Sequence, residues 1–119
     1  MFSGIIENSA KVISFTRLKD YQLVLETDLK FTDIKKGSSI CCNGICLTVV
    51  SKKKHNRKIL LTFDVSKETL NCTNFNQIKK GDVLNIEKSL RVGDEISGHF
   101  VFGHVDDTSR LLSIKKVDG

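Results

Sequence analysis

Asn43-Gly44 is the most constraining dipeptide in this chain. It stands between two apolar runs, Ser38 to Cys42 and Ile45 to Ser51. A two-residue hairpin turn needs positive φ at both central positions, which Asn and Gly tolerate best. The runs around this predicted hairpin are equally short. Ile5 to Phe15 is rich in β-branched and apolar residues, and Arg17-Leu18-Lys19-Asp20 reads as a turn into a return strand at Tyr21 to Thr27. Leu29 to Lys36 reads as a helical turn ended by Gly37, and Lys58 to Val65 as a further strand. Ser66 to Leu70 begins a short helix, capped by Asp64 or Ser66, with Glu68 in the first turn where the dipole favours a carboxylate. Lys79-Lys80-Gly81-Asp82 then turns into a strand at Val83 to Glu87. The expected fold is all-β: a small six-stranded antiparallel Greek-key barrel with one or two short helical turns, closed because closure removes exposed edges.

The 119 residues allow one domain and little more. No apolar run approaches the ~20 residues of a membrane span, and the opening MFSGIIENSAKV lacks the basic and apolar regions of a signal peptide. A cytoplasmic protein, neither secreted nor membrane-embedded, is expected. The net charge of +5 hints at nucleic acid. Its location argues otherwise. Five basic side chains fall in Lys52 to Lys58, and the rest of the chain carries as many acidic as basic groups. A polar heptapeptide between apolar runs reads as a solvated hairpin tip, and it contains no aromatic residue on which a base could stack.

The cysteines are Cys41, Cys42, Cys46 and Cys72. Their spacing lacks the paired C-x2-C of a structural zinc site, and His55 supplies no second histidine at H-x3–5-H spacing, so no metal site is expected. Adjacent Cys41 and Cys42 on a strand point to opposite faces. Reduced, mostly buried thiols are the simplest reading.

The chain also repeats itself. Gly4 to Phe15 can be laid on Gly103 to Ile114 without a gap, matching Gly with Gly, acid with acid or amide, base with base and apolar with apolar, Ile5 against His104 being the clear change. Residues 1–97 are therefore read as one barrel, and 98–119 as the start of a second, truncated repeat. A one-barrel protein with a borrowed strand is the alternative.

MFSGII at the N-terminus, NGICLTV at Asn43 to Val49, SKETL at Ser66 to Leu70, GDVLNIE at Gly81 to Glu87 and GHFVFGHVD at Gly98 to Asp106 stand in one register. Together they resemble the alpha chain of riboflavin synthase. The resemblance implies a dismutation in which two molecules of 6,7-dimethyl-8-ribityllumazine exchange a four-carbon unit, giving riboflavin and 5-amino-6-ribitylaminouracil, with no cofactor. It implies one lumazine per barrel and a productive site between the N-terminal barrel of one subunit and the C-terminal barrel of a neighbour. The implied assembly is a homotrimer for the full-length protein and a dimer for an isolated barrel, with lumazine synthase as a further partner. Two stacked substrates make orientation the main catalytic term, which supplies ~7–11 kcal/mol in favourable cases.

Site residues follow position by position. Phe2 is expected near the reacting rings, or simply ties down the terminus. Gly4, Ile5 and Ile6 match a ligand-lining stretch. Cys46, Leu47 and Thr48 match another, with Cys46 packing against the ligand or adding to it as a nucleophile. Ser39 and Thr48 offer hydroxyls to a ribityl chain. Asp64, Val65, Ser66, Lys67, Glu68 and Thr69 form the next stretch, with Glu68 accepting from ribityl hydroxyls, although Asp64, Ser66 and Glu68 also suit a helix cap. His99 and His104 are candidates for proton transfer, and Gly103, His104 and Val105 line the second repeat's site. Two other functions compete with the enzyme: a non-catalytic lumazine or flavin carrier, and a small basic barrel binding single-stranded nucleic acid.

Overall fold

The computed structural model describes residues 1–17 and 21–119. Six strands form the wall: β1 (Asn8–Thr16), β2 (Tyr21–Thr27), β3 (Ser39–Cys42), β4 (Ile45–His55), β5 (Lys58–Val65) and β6 (Val83–Lys88). Every pairing is antiparallel, and the order β1-β2-β5-β4-β3-β6 closes on itself. Strands β3, β4 and β5 are consecutive, while β2 lies beside β5 and β6 beside β3, so two Greek keys overlap. The expected barrel is present.

Alternation builds the core. Leu23 and Leu25 of β2, Ile45, Leu47 and Val49 of β4, and Ile59, Leu61, Phe63 and Val65 of β5 point inward and are buried. Each such side chain contributes roughly 1.5–3 kcal/mol by leaving water. Leu29, Ile34 and Ile78, beside two short 3-10 turns at Phe31–Asp33 and Phe75–Gln77, and Phe75 within the second turn, join the same core.

Asn43 and Gly44 adopt φ of 48° and 85° and join β3 to β4 with Cys42 opposite Ile45. Gly44→Ala is expected to cost about 1–2 kcal/mol, the penalty of a Cβ in the left-handed region, read as a lower urea midpoint with unchanged m-value.

Three local expectations differ. The first strand begins at Asn8 rather than Ile5. Gly4 takes φ 82° and breaks the extended backbone, and the residues before Asn8 cross the barrel's outer wall. Of the turn expected at Arg17 to Asp20, residues 18–20 lie outside the described residues. The basic heptapeptide is a hairpin, but Asn56-Arg57 alone makes its turn, the flanking lysines being on strands. Lys52 is not solvated: its Nζ donates to the carbonyls of Phe31 (2.7 Å) and Ile34 (2.6 Å) and lies 3.8 Å from the Phe31 ring centroid. Beyond Val101 the chain has no strand. A closed wall offers no edge on which a seventh strand could pair.

Candidate functional site

The site lies outside the barrel, where two chain segments cross one stretch of wall. Glu87 on β6 lies opposite Cys41 on β3, which lies opposite Cys46 on β4. Their neighbours Ile40, Cys42, Ile45, Leu47 and Ile86 belong to the core, so alternation puts Glu87, Cys41 and Cys46 in one row on the outer face.

The N-terminus covers the Glu87 end of this row. Oε1 of Glu87 accepts from the Ser3 amide (2.7 Å), the Ser3 hydroxyl (3.0 Å) and the Gly4 amide (3.1 Å). The residue is only 3% exposed. The segment around Gly98 to Val105 then pairs with the N-terminus. Phe2 and Val101 exchange amide-to-carbonyl bonds of 2.8 and 3.0 Å, and the His99 amide donates to the Ser3 carbonyl at 2.9 Å. Phe2 is fully buried beneath this ladder. At the other end, the Cys46 amide donates to the Gly103 carbonyl at 2.9 Å.

Two glycines permit these crossings. A Cβ at Gly98 would overlap the Ser3 carbonyl. A Cβ at Gly103, where φ is 73°, would lie 2.9 Å from both the Cβ and the amide nitrogen of Cys46. The G-x4-G spacing of GHFVFG is thus the spacing between two backbone contacts.

A cleft of about 220 Å³ opens beside Gly103. Cys46 lines it from β4, Gly103, His104 and Val105 line it from the crossing segment, and Ser66, Glu68 and Thr69 from the third side. Those last residues belong to the start of helix α1 (Lys67–Cys72). Ser66 is the cap, its Oγ accepting from the Thr69 amide at 3.0 Å, and Asp64 is not: its carboxylate accepts from Gln22 Nε2 at 3.3 Å. The cleft therefore combines a thiol, hydroxyls, a carboxylate and an imidazole, groups whose chemistry matches a heterocycle bearing a polyol chain, in a volume smaller than the roughly 300–1,000 Å³ of most small-molecule pockets.

The remaining candidate residues lie elsewhere. Gly4, Ile5 and Ile6 are exposed beside the terminal ladder, and the side chain of His99 faces solvent. Leu47 and Val65 are in the core. Lys67 and Thr48 are exposed, and Thr48 lies opposite Ser39 one row from Cys46. Ser39 lines a separate cleft of about 440 Å³ with Lys88 and Arg91. Sequence reasoning missed Cys72, Thr73 and Glu87. Cys72 and Thr73 line the cleft, and the i,i+4 relation of Cys72 to Glu68 on α1 was the available signal. Glu87 had none, since a carboxylate on the outer face of a strand ordinarily meets water.

All four cysteines are free thiols. Burial, then Glu87, then Cys46 push the Cys41 thiol up to about 11. Burial and the neighbouring Cys41 push Cys42 further in the same direction. A raised thiol pKa in the folded state stabilises the fold below the unfolded thiol's value, about 8.5. That stability is lost as pH rises from there through about 11. Unfolding midpoints should fall over this window, and fall less in Cys41→Ala.

The lumazine-binding domain family model matches residues 3–89, which include the whole barrel. The chain belongs to the lumazine-binding domain family. Riboflavin synthase of Chlamydia trachomatis serovar D is 40% identical over 116 residues, covering 98% of this chain and 56% of the relative. The riboflavin synthases of Buchnera aphidicola (36% identical, 99% and 56% covered) and Escherichia coli (34%, 96% and 53%) match similarly. The chain spans about half the length of these curated relatives. The solved structure of LumP complexed with flavin mononucleotide superposes with a TM-score of 0.61 at 21% identity, over 91% of this chain and 57% of that one. At that identity it supports the barrel fold. Among the described residues, no helix of this lumazine-binding barrel is long and apolar enough to cross a membrane.

Proposed function

We propose that this chain is one ligand-holding half of a riboflavin synthase. Its barrel binds a single 6,7-dimethyl-8-ribityllumazine, or riboflavin as product, in the cleft between Cys46, Glu68 and His104. The carrying observation is convergence: three separated sequence motifs deliver Cys46, Ser66-Glu68-Thr69 and Gly103-His104-Val105 to one cleft. Glu68 takes the ribityl hydroxyls, Thr69 contacts the pyrimidine end, Cys46 packs on the heterocycle, and His104 serves proton transfer at the acidic methyl group.

The four-carbon transfer needs a second lumazine held against the first. The repeat beginning near Gly98 supplies that second barrel in a longer chain, or another copy supplies it by self-association as a homotrimer or dimer. Gly4, Ile5 and Ile6, exposed beside the ladder, are assigned to ligand lining. The reaction belongs in the cytoplasm, where lumazine synthase is a natural partner because its product is this substrate.

Titrating the chain with 6,7-dimethyl-8-ribityllumazine and following its fluorescence tests the reading. Saturable one-to-one binding with weak riboflavin formation is expected. Absence of binding by a folded chain would overturn it. A carrier role is the second reading, favoured by the shared fold with LumP, whose solved structure holds flavin mononucleotide. Tight binding without product formation by a two-barrel form would select it.

A further inference from the structure

We propose that Cys41 and Cys46 are an oxidisable cross-strand dithiol, and that their disulfide withdraws the Cys46 sulfur from the cleft and weakens ligand binding. The part concerning binding rests on the lumazine-binding reading above. The disulfide itself does not.

The register carries the inference. Cys41 and Cys46 are directly opposite on β3 and β4. The two-residue turn at Asn43-Gly44 makes Cys42 and Ile45 the hydrogen-bonded pair that closes the hairpin, so the next pair outward is of the non-hydrogen-bonded kind. An independent bond agrees: the Cys46 amide points away from β3, to the Gly103 carbonyl. Non-hydrogen-bonded pairs hold their Cα atoms about 4.5 Å apart with side chains on the same face. That separation lies within the range of roughly 4.4–6.8 Å that disulfides span. Both thiols are free and both lie on the outer row.

The two thiols are unequal. Cys46 is part-exposed in the cleft and meets an oxidant first, while Cys41 is 8% exposed behind it. With a small disulfide such as oxidised glutathione, the Cys46 thiolate attacks one sulfur, forming a mixed disulfide and expelling glutathione thiolate. The Cys41 thiolate then attacks Cys46 Sγ and expels the second glutathione. The dithiol loses two electrons to the oxidant's disulfide bond and its two protons to solvent. Burial holds Cys41 protonated, so the second step quickens as pH rises toward about 11.

Treating the whole chain with oxidised glutathione and following its intact mass tests the proposal. The expected product has lost two hydrogens and keeps at most one glutathione, on the part-exposed Cys72. Hydroxylamine cleavage at Asn43-Gly44 should leave its two fragments joined until a reductant is added. Cys41→Ala should stop at the glutathione adduct and, untreated, bind 6,7-dimethyl-8-ribityllumazine like the parent. Cys72→Ala should still close the bridge. Oxidised parent chain should bind the lumazine at least tenfold more weakly, with recovery on adding dithiothreitol. Closure in Cys41→Ala, or a persistent glutathione adduct on Cys72→Ala in place of closure, would overturn the pair. Unchanged lumazine affinity in the bridged protein would overturn its effect on the cleft. A reduced parent chain that binds no lumazine would count against the functional reading and leave the bridge standing.

Discussion

Gly98→Ala is expected to strip the terminal ladder from the barrel. The added Cβ overlaps the Ser3 carbonyl, which is backbone and is itself held by the His99 amide and by its neighbours' bonds to Glu87. A flexible side chain could turn aside, but this carbonyl cannot move without breaking those bonds. Phe2 would then leave its fully buried position, and losing a buried Phe costs about 3–5 kcal/mol. The wall strands keep their own ladders, so the far-ultraviolet spectrum should persist while the thermal midpoint drops. Lumazine affinity should fall more than tenfold, because the same segment carries Gly103 and His104 to the cleft. A variant with parental melting and binding would refute the account of GHFVFGH as a pair of close crossings.

Glu87→Ala is expected to destabilise the protein by about 3 kcal/mol, which a shift in the urea midpoint would report. One carboxylate oxygen accepts three hydrogen bonds in a covered position. Bonds to a charged group contribute about 1.5–3 kcal/mol each, and three on one oxygen do not add fully. Removing the acceptor also leaves the half-buried Ser3 amide and hydroxyl and the exposed Gly4 amide without their shared partner. Glu87→Gln keeps an acceptor but loses the charge, and should fall between the parent and the alanine variant.

The barrel was legible in the sequence because alternation and turn chemistry are local. Asn43-Gly44, the return strand at Tyr21–Thr27 and the Ser66 cap all act within a few residues of themselves. Cys46, Glu68, Thr69 and His104 were found through motif resemblance, and the structure brings them to one cleft. Glu87 and Lys52 were not legible. Each meets partners far along the chain, at Ser3 and Gly4 for one and at Phe31 and Ile34 for the other. Charge patterning assigns such groups to water unless the tertiary crossing is known. The start of β1 was misplaced for a similar reason: Ile5 and Ile6 have strand composition, but the Glu87 clamp sets the backbone before them.

The seamless wall also governs how copies of this chain behave together. Leu111, Leu112, Ile114 and Val117 are 72–89% exposed, on a ribbon that the finished cylinder has no room to adopt. Crowded copies of the 119-residue polypeptide alone would cohere through these ribbons while each cylinder stayed intact, whereas a longer chain that builds a second barrel from them would not. Light scattering should therefore rise with concentration at temperatures well below the melting transition, and mild detergent should clear it without unfolding anything.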